Sequence, residues 1–93
     1  MIIIELSYIK PLEQIKQHLD QHRFFLDKYY SEGIFILSGP KNPRNGGVIL
    51  AMTDKETAER LVREDPFYQH GLADYHFTEW LPNKSSACLQ QYL

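Results

Sequence analysis

A histidine and an aspartate occupy positions where helical spacing calls for apolar side chains. In the first predicted helix, residues three and four apart form one apolar stripe that only His22 interrupts. The stripe consists of Leu12, Ile15, Leu19, His22, Leu26 and Tyr29. In the second predicted helix Ala58 and Leu61 mark the inward face, and Asp65 is the next position on it. A carboxylate there is unfavourable unless it finds a partner, so we expect His22 and Asp65 to meet.

The chemistry that such a pair supports is proton transfer. The carboxylate of Asp65 would hold one imidazole nitrogen of His22 as N–H, which leaves the other nitrogen free to accept or release a proton. Two plainer interpretations stay open. Asp65 could instead cap the short turn that begins at Pro66, and an inward histidine could be a core residue with satisfied hydrogen bonds. His22 and Asp65 are therefore the candidate catalytic residues.

Four further residues are candidates for binding a small-molecule substrate. Ser38 and Gly39 end a predicted strand with a hydroxyl and a bare backbone that a ligand could approach, although an ordinary strand exit has the same composition. Tyr8 and Tyr75 lie in predicted strands and could orient a substrate, although strand tyrosines commonly belong to the core. Arg23 could bind an anion or simply be solvated.

We expect neither a metal nor a cofactor. His18 and His22 are one helical turn apart, but the next position after His18 is Leu19 rather than the glutamate of a zinc-binding H-E-x-x-H motif. The chain has no phosphate-binding glycine loop and no nucleophile elbow. Residues 47–52 also lack the basic and aromatic signature of RNA-recognition modules.

Composition and charge exclude several classes of protein. The 93 residues carry 10 Lys and Arg against 12 Asp and Glu, which gives a net charge of −2. This balance argues against nucleic acid or an anionic membrane as a partner. With 43% hydrophobic residues the chain can fold. The apolar run at residues 2–4 is too short to span a membrane, and the single Cys88 cannot form an internal disulfide, so we expect a cytoplasmic protein.

Hydrophobic periodicity predicts the order β-α-β-β-α-β. Four strands are predicted, at residues 2–9, 34–37, 48–52 and 73–80. Helices are predicted at residues 12–32 and, behind a capping box at Thr53–Glu56, up to Asp65. We expect one ferredoxin-like α+β domain over residues 1–80, with an antiparallel sheet and both helices on one face, and a polar tail over residues 81–93.

The second predicted strand indicates self-association. Residues 34–37 read Ile-Phe-Ile-Leu and are apolar in both directions. The ferredoxin-like topology nevertheless places this strand at a sheet edge. An exposed apolar edge or sheet face is a liability that a partner usually covers. We therefore expect a homodimer in which two sheets pack face to face.

An ordered set of short motifs resembles the YciI-like (YCII-related) family, over about residues 1–80. The set is His22-x-x-Phe25-Leu26, Gly33, Ser38-Gly39-Pro40, Gly46-Gly47, Asp65-Pro66-Phe67 and Gly71-Leu72-x-x-Tyr75. The resemblance implies a dimeric α+β barrel of ferredoxin-like domains, with a site centred on a histidine and an aspartate that fall on His22 and Asp65. It also implies that the Ser38 strand end lies near that pocket. A related dehydrochlorinase that acts on a chlorinated hydroxyquinone indicates chemistry that the scaffold can host.

Together these features predict a small cofactor-independent enzyme. His22, oriented by Asp65, would transfer a proton on a small cyclic or aromatic substrate, as a lyase, dehydrochlorinase or isomerase does. The alternative is a non-catalytic dimeric module that binds a small molecule in the same pocket. A third interpretation keeps both residues purely structural.

Overall fold

The computed structural model describes residues 1–93 as an α+β structure. Four strands form one sheet, and they are β1 (Ile2–Tyr8), β2 (Phe35–Pro40), β3 (Gly46–Ala51) and β4 (Ala73–Glu79). Two helices follow β1 and two follow β3, and they are α1 (Leu12–Gln17), α2 (Leu19–Ser31), α3 (Lys55–Leu61) and α4 (Pro66–Gln69). Short 3-10 helices cover Val62–Glu64 and Ala87–Tyr92.

The strand order in the sheet is β2-β3-β1-β4, and every neighbouring pair is antiparallel. Ile4 on β1 lies opposite Ile49 on β3 and Phe77 on β4. This order confirms the predicted ferredoxin-like fold, with β2 at one edge. At the end of β1, Tyr8 donates its backbone N–H to the carbonyl of Asn45 at 2.9 Å. The end of β1 and the β2–β3 loop therefore lie side by side.

The first helical segment is interrupted at His18, where the sequence pattern predicts one continuous helix. His18 has φ −111° and ψ 10°, and its N–H donates to the carbonyl of Ile15, only three residues back. The predicted stripe is also wrong in part. Leu12 is 36% exposed, whereas Phe25, which the spacing leaves outside the stripe, is 5% exposed. A break of this kind alters which positions face the core, and spacing along an ideal helix does not capture it.

The second predicted helix corresponds to α3, and its N-cap lies one residue after the predicted Thr53. Asp54 is the N-cap, and its Oδ1 accepts the N–H of Thr57 at 2.7 Å. The capping role predicted for Thr53 is therefore wrong, since an aspartate caps a helix at least as well as a threonine does. After α3 and the 3-10 turn, Asp65 adopts the extended values φ −73° and ψ 125°. The residue before a proline is pushed to such values, so Pro66 ends this helical segment as predicted.

The helices cover one face of the sheet and leave the other face open. On the covered face, Ile4 and Leu6 belong to a core of 14 buried hydrophobic residues to which all four helices contribute. On the other face, Ile3 and Val48 are 36% and 38% exposed, and Leu37 of the edge strand is 60% exposed. We call this side, marked by Ile3, Leu37 and Val48, the open sheet face. The strand predicted to be apolar on both sides is thus covered on one side only.

Two glycines allow backbone geometry that other residues would resist. Gly33 follows α2 with φ +74°, a left-handed conformation in which a glycine commonly ends a helix. Gly46 begins β3, where a Cβ atom would collide with the carbonyl of Leu6 on β1. The missing side chain of Gly46 therefore lets β3 and β1 approach each other beside the β2–β3 loop.

The residues beyond β4 contain little regular structure. They include the 3-10 helix Ala87–Tyr92, in which the free Cys88 is exposed. Nowhere in the chain does a helix combine the length and the apolar character needed to cross a lipid bilayer.

Candidate active site

The site is built around a fully buried carboxylate. Asp65 is 0% exposed and precedes α4, where its Oδ1 accepts the N–H of Phe67 at 3.0 Å as an N-cap. Asp65 therefore does cap the turn that begins at Pro66, but this contact alone does not account for its burial. One backbone donor does not satisfy both carboxylate oxygens, and a buried charge without further partners is strongly unfavourable.

Two side chains from other elements supply the further partners of Asp65. His22 on α2 bonds through Nδ1 to Oδ1 at 2.8 Å, and the Tyr75 hydroxyl on β4 donates to Oδ2 at 2.6 Å. The expected meeting of His22 and Asp65 is thus confirmed. Burial and the negative charge of Asp65 both raise the pKa of Tyr75. Its hydroxyl consequently stays protonated, and remains a donor, at neutral pH.

The His22 imidazole is held in one orientation. Its ring stacks on Phe67 with centroids 4.1 Å apart and planes 7° apart, and 13% of the side chain is exposed. Because an ionised Asp65 carboxylate can only accept, Nδ1 carries the proton between the two groups. The other ring nitrogen, Nε2, makes no hydrogen bond within the chain and is not sealed from solvent. Nε2 is therefore the nitrogen available for proton transfer.

A cavity of about 340 Å³ opens beside His22, between α2 and the sheet. Apolar side chains from the helices and from the sheet line this cavity. They include Leu19, Leu26 and Phe67 from the helices and Leu6 and Ile49 from the sheet. An apolar cavity of about 150 Å³ is enough to hold benzene. The cavity beside His22 is thus large enough for a single substituted ring.

Three of the four residues predicted to bind a substrate line this cavity. They are Tyr8, Ser38 and Gly39, and the Ser38 hydroxyl forms a hydrogen bond of 2.7 Å with Tyr30. Tyr75 does not line the cavity, because its hydroxyl is directed to Asp65. From this position it supports the carboxylate, and its contact with a substrate stays a prediction.

Two residues that line the cavity, Phe67 and Arg44, are assigned no role in the site by the sequence analysis. Phe67 provides the surface on which the imidazole stacks, and Arg44 lies in the cavity wall together with Arg23. Arg44 belongs to the β2–β3 loop, which a hairpin necessarily brings back to the strand end that carries Ser38. That topology is the signal that could identify Arg44. Phe67 belongs to the motif Asp65-Pro66-Phe67, but its residue type by itself indicates only a core position.

No group of three or more histidine, cysteine, aspartate or glutamate side chains is placed to hold a metal ion. His18, one turn before His22, stacks instead on His70 with ring centroids 4.1 Å apart. His22 already uses Nδ1 to contact Asp65.

The fold and this site define a small α+β protein of the ferredoxin-like class in which a histidine contacts a buried aspartate. More particularly, the chain belongs to the YCII-related family, because the model of the YCII-related domain matches residues 1–81. The resemblance carried by the short motifs is thereby confirmed.

Among solved structures, the fold is similar to that of the 5-chloro-2-hydroxyhydroquinone dehydrochlorinase TftG from Burkholderia phenoliruptrix AC1100, in its complex with 2,5-dihydroxybenzoquinone. The TM-score is 0.72 at 16% sequence identity, and the similarity covers 89% of this chain and 96% of that chain. At this level of identity the likeness shows a shared fold. Comparison with curated proteins gives no match.

Proposed function

We propose that this chain is a small enzyme that transfers a proton on a one-ring substrate without the help of a cofactor. The observation that carries the proposal is the 2.8 Å hydrogen bond between His22 and Asp65. It orients the imidazole so that Nε2 is the free nitrogen, in a side chain that lines the cavity. A histidine positioned in this way contributes about 10²–10⁴-fold to the rate of a proton transfer.

In the proposed reaction Nε2 of His22 accepts a proton from a carbon or hydroxyl group of the bound ring. The imidazole then carries a positive charge, which the carboxylate of Asp65 stabilises through Nδ1–H. In an isomerisation the imidazolium returns the proton to another atom of the substrate. In an elimination the electron pair of the broken C–H bond forms a new double bond as the leaving group departs with its own bonding pair, and the imidazolium then releases the proton to water. Asp65 and Tyr75 act as positioning residues, because neither lines the cavity.

The lining supports a flat substrate with polar substituents. A ring would lie among Leu19, Leu26 and Phe67, while the Ser38 hydroxyl and the backbone of Gly39 offer hydrogen bonds at the edge. The name of TftG indicates action on 5-chloro-2-hydroxyhydroquinone, and its complex holds 2,5-dihydroxybenzoquinone. Both compounds contain a single six-membered ring, so hydroxylated and halogenated one-ring compounds are the substrates to test first.

The first test is turnover of a panel of halogenated phenols and hydroxyquinones, followed as chloride release and by absorbance. We expect His22→Gln to lower kcat about 100-fold or more while ligand binding is kept. His70→Gln is the matched control, since His70 lies outside the cavity wall and should leave kcat unchanged. Equal turnover by His22→Gln and the unchanged protein would refute the proposal. Equal binding by both, with no turnover of any compound, would favour the non-catalytic binding module.

A homodimer formed through the open sheet face is part of the same proposal. Leu37 is 60% exposed there, and Val48 and Ile3 are 38% and 36% exposed. An exposed apolar patch on a sheet face is normally covered by a partner. Light scattering at micromolar concentration should give the mass of a dimer, and Leu37→Asp should shift it to a monomer with an unchanged circular dichroism spectrum. A monomer without the substitution would contradict the dimer.

A further inference from the structure

The cavity wall has a different charge from the rest of the chain. Acidic residues outnumber basic ones, 12 to 10, over the whole sequence. The wall nevertheless contains two arginines, Arg23 and Arg44, and no aspartate or glutamate. Positive groups beside low-dielectric apolar walls concentrate their field within a cleft and raise the local concentration of anions. The side chains that face the cavity thus favour a negatively charged ligand.

Of the two arginines in the cavity wall, Arg44 is the one whose charge is uncompensated. It takes part in no ion pair within the chain. Arg23, in contrast, places Nη1 3.5 Å from a carboxylate oxygen of Asp20, one turn earlier on α2. A planar guanidinium matches two oxygens of one anionic group and binds them with two parallel hydrogen bonds. The guanidinium group of Arg44 is therefore unpaired at the cavity wall, and Arg23 adds a positive charge that Asp20 partly neutralises.

We infer that the cavity selects a single ring that bears an anionic oxygen group, such as a carboxylate, phenolate or enolate, with Arg44 as its main charge-recognition residue. This inference rests on the proposed function, because it names the substrate class of the same site. The apolar wall around Phe67 receives the ring, and the arginines receive the charged substituent. His22 remains the group that moves the proton.

The test compares two probes of nearly equal shape and different charge, benzoate and benzamide, by isothermal titration calorimetry at low ionic strength. Benzoate is expected to bind about tenfold or more tightly than benzamide, and added salt should reduce the difference. Arg44→Gln is expected to weaken benzoate about tenfold and to leave benzamide unchanged. Arg23→Gln should weaken benzoate less, because Asp20 already compensates part of that charge.

Arg60→Gln is the matched control. It removes the same charge from α3, outside the cavity wall, and should change the affinity for neither probe. The inference is overturned if benzamide binds as tightly as benzoate, if Arg44→Gln weakens both probes equally, or if neither probe binds at millimolar concentration. If benzoate binds more tightly than benzamide but no anionic ring is turned over, the inference is supported and the proposed enzyme is refuted. Turnover of an uncharged ring that depends on His22 and not on Arg44 would refute the inference alone.

Discussion

Replacing Tyr75 with phenylalanine removes one hydroxyl and leaves one oxygen of a buried carboxylate without a partner. The hydroxyl donates to Oδ2 of Asp65 at 2.6 Å, and Asp65 is 0% exposed, so water cannot readily take its place. A hydrogen bond to a charged group contributes about 1.5–3 kcal/mol. We therefore expect Tyr75→Phe to lower the free energy of unfolding by about 2 kcal/mol. For a domain of this size, that corresponds to a decrease in Tm of about 10 °C.

The assay is urea unfolding at pH 7, followed by the fluorescence of Trp80 at one fixed protein concentration. Tyr30→Phe is the matched control, because it also deletes a hydrogen-bonded hydroxyl, but one whose partner Ser38 is exposed. We expect the control to lose about 0.5 kcal/mol or less. A loss for Tyr75→Phe that is no larger than this would refute the argument that Tyr75 stabilises the buried charge.

The same variant has a predicted pH signature. The pKa of Tyr75 is raised in the folded state by burial first and by Asp65 second. A group with a raised folded pKa contributes stability that is present below the unfolded value, here 10.0, and is lost as pH rises above it. The stability difference between the unchanged protein and Tyr75→Phe should therefore be constant near neutral pH and shrink above about pH 10. A difference that grows in that range would contradict the proposed contact.

Three other perturbations test the fold. Gly33→Ala should lower the free energy of unfolding by about 1 kcal/mol in urea titrations, and Gly33→Asn by less, because asparagine tolerates a positive φ better. Gly46→Ala should lower Tm through the collision of its Cβ atom with the neighbouring strand, whereas Gly39→Ala, with open space there, should not. Hydrogen bonds from Lys28, and secondly Tyr29, lower the pKa of Glu64. Its contribution is present above pH 4.5 and lost below it, so the stability difference from Glu64→Gln should shrink in acid.

The sheet and the central pair of the site can be predicted from the sequence because each depends on periodicity. Alternation in residues 2–9 separates buried Ile4 from exposed Ile3, and this fixes which face of β1 meets the helices. His22 and Asp65 are detectable because a polar side chain on an apolar face needs a partner. His22 on α2 and Asp65 at the N-cap of α4 lie on the same side of the sheet and supply that partner to each other.

The remaining parts of the site depend on three-dimensional proximity, which periodicity does not report. Tyr75 lies on an inward strand position that suits a core residue, a ligand contact or a support for Asp65 equally well. Arg44 stands in a polar loop, where its residue type is unremarkable until the hairpin places it in the cavity wall. The helix break at His18 could not be predicted, because no proline or glycine lies near it in the sequence.

The three contacts of Asp65 also couple local stability to the integrity of the site. His22 is 43 residues away from Asp65 along the chain, whereas Tyr75 is only 10 residues away. If α2 opened locally, a buried charge would lose its distant donor while the rest of the fold stayed closed. Partial opening is thereby disfavoured, and we expect the amide hydrogens of α2 and α4 to exchange with solvent as one cooperative unit.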